Sequence, residues 1–173
     1  IVREVEERLS FLNDNGENKM KSKLLLALLA ITLTGTAAAQ LKPEDAIKFR
    51  QSGYGFMAWN MGRIKANVEG GQFNKEEVIK AANAIQAIAN SGMGALYLPG
   101  TDKGTGWEKT RVKPVFFTDK EGVAKVAMAF NKEANEMAKV AATGDVAAIK
   151  EQFGKLGGVA GVACAQGADC TDS

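Results

Sequence analysis

The stretch TDKEGVAKVAMAFNKEANEMAKVAATGDVAAIKEQFGKL, residues 118–156, carries the pattern that decides the fold. Thr118 and Glu121 have the spacing of a capping box and open a helix. Val123, Val126/Ala127, Phe130, Ala134, Met137 and Ala141 then recur every three or four residues and make one apolar face. Thr143-Gly144-Asp145 reads as a turn with a cap built in, and Val146, Ile149, Phe153 and Leu156 supply the inward face of the next helix. Neither helix can bury its stripe alone, so both need further helices to share a core.

Upstream the same grammar appears twice more. Lys42-Pro43-Glu44-Asp45 places proline and two carboxylates in a first turn, and Phe49, Gly53, Met57, Asn60/Met61 and Ile64 follow at helical spacing until Gly70-Gly71. Asn74, with Glu77 three residues on, caps a second helix whose apolar face is Val78, Ile85 and Ile88, stopping near Gly92–Gly94. The first and third connections are short and favour antiparallel neighbours, whereas Ala95 to Phe117 is long, and loops of that length are usually functional. The pattern predicts an all-α protein, an antiparallel up-down-up-down four-helix bundle.

Composition agrees and excludes much else. Apolar residues make up 46% and charged residues 24%, which is globular, and prolines number only 3. The net charge of +2 leaves no nucleic-acid footprint. There is no histidine, so a histidine-bound metal, a Ser-His-Asp triad and an imidazole base are excluded for this polypeptide. Glu133 and Glu136 stand three apart on the third helix but off its apolar stripe, as solvated carboxylates, and no enzyme is expected from them.

Residues 20–39 have the parts of a secretory signal: Lys21 and Lys23, the apolar run Leu24 to Leu33, and Ala37-Ala38-Ala39 before a cleavage that leaves Gln40 first. That run is too short to anchor the chain in a bilayer, which takes about 20 residues. Residues 1–19 are expected to be a translated leader or extension outside the fold, leaving 40–159 as the bundle and 160–173 as a divergent tail.

Several quoted segments resemble one family. Lys42 to Ser52, Leu98-Pro99-Gly100-Thr101, the run Arg111 to Asp119, and Phe153 to Gly158 are similar to the first helix, the long loop and the approach to the haem site of cytochromes c′. The resemblance spans Gln40 to Val159 and implies that family's four-helix architecture, haem c, a periplasmic location, and electron transfer or binding of small gases such as nitric oxide. By resemblance Arg50 and Gln51 lie near the haem propionates, Tyr54 caps the distal iron face and Tyr97 shapes that pocket. A homodimer through the first two helices is implied likewise. On the residues alone, Arg50 reads equally well as a solvated charge, Tyr54 and Tyr97 as core aromatics, and Met57 and Met61 as core filler.

The family's Cys-x-x-Cys-His motif, expected near Ala160, does not follow. Cys164 and Cys170 have the wrong spacing and no imidazole comes after them. The shift to small residues after Val159 points to a changed reading frame. The alternative is a haem-free helical bundle, a binding or structural module in which Cys164 and Cys170 pair after export. Either way this chain is expected not to attach haem covalently.

Overall fold

The computed structural model describes residues 41–170. Four long helices follow one another: α1 (Pro43–Glu69), α2 (Lys75–Ala89), α3 (Lys120–Thr143) and α4 (Val146–Ala165). α1 packs on α2, α2 on α3 and α3 on α4, and α4 returns to α1, which closes an antiparallel four-helix bundle. The long connection carries a 3₁₀ turn at Met93–Leu96, a bridge between Thr105 and Lys109 and a single helical turn at Val115–Thr118. No helix among the described residues is long and apolar enough to cross a membrane. The export signal and leader read at residues 1–39 lie outside the described residues.

The helix ends follow local chemistry. Pro43 sits in the first turn of α1 with Glu44 and Asp45, where its missing N–H costs nothing and the carboxylates face the helix dipole. Asn74 accepts from the Glu77 N–H at 3.1 Å and starts α2 as expected. Asp145 accepts from both Ala147 and Ala148 and starts α4. Between α3 and α4, Gly144 takes φ +79°, a left-handed conformation that side chains resist. Gly70 ends α1 differently: its backbone is extended, and glycine is needed because a Cβ would collide with the Ala66 carbonyl.

The dry core gathers at the end of the bundle where the α1–α2 and α3–α4 turns lie. Ile64, Val78, Ala81, Ala82, Ile85, Ala134, Met137, Ala141, Ile149 and Leu156 are fully buried there. Each fully buried Ile or Leu contributes about 1.5–3 kcal/mol relative to exposure. Lys75 Nζ donates to the Thr143 carbonyl at 3.1 Å and ties the two turns together.

Three expectations need correction. Asp119, not Thr118, caps α3 by accepting from the Gly122 N–H at 2.9 Å, while Thr118 bonds back to the Val115 carbonyl and so belongs to the preceding turn. Phe49 is 57% exposed, because the buried stripe of α1 runs through Ile47, Arg50, Gln51, Met57, Asn60 and Ile64. Val146 is exposed, since it begins α4 before that helix meets its neighbours. α4 itself extends past Val159 to Ala165, sustained by Ala160, Ala163 and Ala165.

Candidate functional site: a buried arginine centre

The four residues singled out by resemblance come together at the opposite end of the bundle, under the long loop. Arg50, on the second turn of α1, is 0% exposed. A buried guanidinium must satisfy its donors, and this one does. Nε donates to Asp169 Oδ2 at 2.8 Å, Nη1 to Thr101 Oγ1 at 2.8 Å, and Nη2 to the Thr101 carbonyl and Thr110 Oγ1 at 2.6 Å each. Asp169 is itself 2% exposed, and its other oxygen accepts from the Arg111 N–H at 2.7 Å. α1, the long loop and the segment after α4 therefore meet on one ion pair.

Gln51 bonds the loop to the helix with both ends of its amide. Nε2 donates to the Glu108 carbonyl at 3.1 Å, and Oε1 accepts from the Trp107 N–H at 2.9 Å. Gly106 makes that approach close, since a Cβ there would lie 2.8 Å from the Lys48 nitrogen and from Ile47 Cγ2.

One turn beyond Arg50, the Tyr54 and Tyr97 hydroxyls share a hydrogen bond of 2.7 Å. Tyr97 also stacks on Phe116, with centroids 4.0 Å apart, and lies 4.9 Å from the Arg50 guanidinium carbon. Burial pushes both phenols up from their ordinary value, and the Tyr54 hydroxyl beside Tyr97 pushes that one further. Both are protonated at neutral pH. Along the inward stripes of α3 and α4, Val123, Val126, Phe130 and Phe153 are only half-buried, and Phe130 and Phe153 pack against the turn-end core. Met57 is buried and Met61 packs against the core, in keeping with a filling role.

Sequence reading missed Thr101, Thr110 and Asp169. The threonines sit in a loop without periodicity, and Asp169 lies in the tail set aside at Ala160. A buried arginine predicts that a carboxylate is needed, but nothing local says that it comes from residue 169. Glu133 also departs from expectation: its carboxylate and carbonyl both accept from the buried Gln152 amide, whereas Glu136 pairs with Lys139 at the surface.

Haem c, which the resemblance implies, can be tested against these residues. Covalent attachment takes two thiols in a Cys-x-x-Cys-His motif and an imidazole on the iron. Here Cys164 and Cys170, six residues apart, are joined to each other by a disulfide with Cα atoms 5.6 Å apart. The chain has no histidine at all. Arg50 already holds a carboxylate of its own chain. The donor set does not fit c-type attachment.

Comparison with known proteins places the whole described bundle. A family model described as Cytochrome C′ matches residues 45–164. Cytochrome c′ of Rhodocyclus tenuis is 64% identical over 116 residues, covering 67% of this chain and 87% of that protein. Cytochrome c′ of Allochromatium vinosum is 57% identical over 131 residues, covering 75% and 84%. A solved cytochrome c′ with ligand-controlled dimer dissociation superposes with TM-score 0.72 at 53% identity, over 77% of this chain and 100% of its own. Cytochrome c′ from Thermochromatium tepidum gives 0.71 at 50% identity, again over 77% and 100%. Cytochromes c′ bind haem c and are generally carriers of electrons or gases. With its helices, loop and sequence matched along nearly all of the described length, this chain belongs to the cytochrome c′ family.

Proposed function

We propose that this chain is an exported, periplasmic cytochrome c′-type bundle that does not attach haem covalently. One observation carries the reading: the two cysteines are spent on each other and no imidazole exists to bind iron. The disulfide supports an oxidising compartment such as the periplasm, where such bonds persist, and the signal pattern of residues 20–39 supports export with Gln40 as the first mature residue. In this reading electron transfer and nitric oxide binding belong to members with the complete motif. Arg50 and Gln51 keep the position that faces the propionates in those members, and Tyr54 and Tyr97 keep that of the distal wall. A haem-free module is the second reading, favoured by the ion pair that closes Arg50 without any ligand. A second copy of the chain is the proposed partner, docking on the α1 face that exposes Phe49, Phe56 and Trp59.

The test is expression of the full chain with a haem-ligation system, followed by intact mass and absorption spectra of the periplasmic fraction. The expected species is colourless, begins at Gln40 and carries no haem mass. Replacing the segment after Val159 with a helix end bearing Cys-x-x-Cys-His should restore a high-spin c-type spectrum. Covalent haem on the unaltered chain would overturn the reading, and a colourless grafted chain would overturn the roles given to Arg50, Gln51, Tyr54 and Tyr97.

A further inference from the structure

The disulfide and the ion pair lie on the same short segment. α4 ends at Ala165, the chain turns back through Gly167 at φ +93°, and Asp169 enters the body one residue before Cys170. Gly167 and Ala168 are buried beside Asp169, and hydrogen bonds join the segment to the long loop: the Lys113 N–H donates to the Gly167 carbonyl at 3.1 Å, Lys113 Nζ to the Ala165 carbonyl at 3.4 Å, and Arg111 Nη1 to the Cys170 carbonyl at 3.3 Å. The socket for the carboxylate belongs to the body. It is formed by Arg50 Nε at 2.8 Å, Thr110 Oγ1 at 3.2 Å and the Arg111 N–H at 2.7 Å.

We propose that Cys164–Cys170 is the catch of a redox-gated latch, in which the oxidised bond keeps Asp169 seated on Arg50 and its reduction releases the segment and opens the arginine centre. The physical reason is the cost of holding two charges out of water. A buried pair gains little over solvated ions, so its persistence depends on how much freedom the tail recovers by leaving. The disulfide closes a short ring and withholds that freedom. Neither cysteine is fully buried: both are half-buried at the end of α4 and in the segment after it.

Opening consumes one dithiol. A thiolate attacks one sulfur and breaks the bond, and the second thiol resolves the mixed disulfide. Two electrons and two protons pass to Cys164 and Cys170 as thiols, and the reductant leaves as a cyclic disulfide. The inference rests on the disulfide and the ion pair alone and stands apart from the function proposed above.

Hydrogen exchange and dicarbonyl labelling of arginine, both read by mass spectrometry on the full chain with and without dithiothreitol, test it. In the oxidised protein Arg50 should resist labelling. After a verified two-dalton gain, Arg50 should label, and the Arg111 and Lys113 amides should exchange at least tenfold faster. Residues 134–141 of α3 should keep their protection. Cys164→Ser/Cys170→Ser should reproduce the reduced pattern without reductant. In Asp169→Ala, Arg50 should label in the oxidised state, and reduction should change that labelling less than twofold. Unchanged Arg50 protection after reduction, or loss of protection throughout α3 at the same time, would overturn the latch. A tenfold response to reduction in Asp169→Ala would show that the disulfide holds something other than this carboxylate.

Discussion

The two ends of the bundle are held together by different kinds of force. At the turn end, Ile64, Val78, Ile85, Met137, Ile149 and Leu156 interlock as methyl groups and thioether, without direction or charge. At the loop end, Arg50, Asp169, Thr101 and Thr110 form a directional cluster, and no buried side-chain polar atom among the described residues lacks a partner. The first arrangement needs only apolar residues of suitable volume at the right period. The second needs particular groups at particular places, because any donor left unpaired loses its hydration for nothing. The same four-helix scaffold thus has one end that is tolerant in sequence and one that is demanding.

The sharpest way to break that contrast is to remove one charge. Arg50→Ala leaves Asp169 buried without its partner and should cost about 3–5 kcal/mol in urea unfolding. A cost below about 1 kcal/mol would mean that the loop end contributes nothing to holding the fold. Leu156→Ala probes the other end and should cost about 3 kcal/mol through a cavity that the surrounding helices cannot close. If it costs less than an exposed Phe49→Ala, the turn end is not the core.

The smallest change near neutral pH belongs to the phenols, which stay protonated there in both the folded and the unfolded chain. The folded pKa of both Tyr54 and Tyr97 is raised above the unfolded value near 10. Their contribution is therefore fully present below about pH 10 and is lost as pH rises through the folded values. The sequence has only these 2 tyrosines, so absorbance from tyrosinate should not develop until the protein unfolds in alkali. A normal titration near pH 10 in a folded sample would contradict their burial.

Sequence reading was strong where the structure is periodic. Asn74, Gly144 and Asp145 were legible because a cap or a left-handed turn is decided by its immediate neighbours. The turn-end core was legible because Ala134, Met137 and Ala141 repeat with the helix. Asp119 was missed because Thr118 offers the same chemistry one residue earlier, and choosing between them depends on the turn at Val115–Thr118. Phe49 was misplaced because hydropathy ranks it above Arg50, yet on this helix the arginine faces inward. That inversion is decided by Asp169, 119 positions away, and no local window contains it.

The separation between those two residues also orders the events of folding. The α1–α2 and α3–α4 hairpins close over short stretches of chain, so the turn end can form from neighbours as they appear. Arg50 emerges among the first residues of the bundle and its carboxylate among the last. The guanidinium must stay hydrated until residue 169 can reach it, so its burial comes later than the closing of the hairpins.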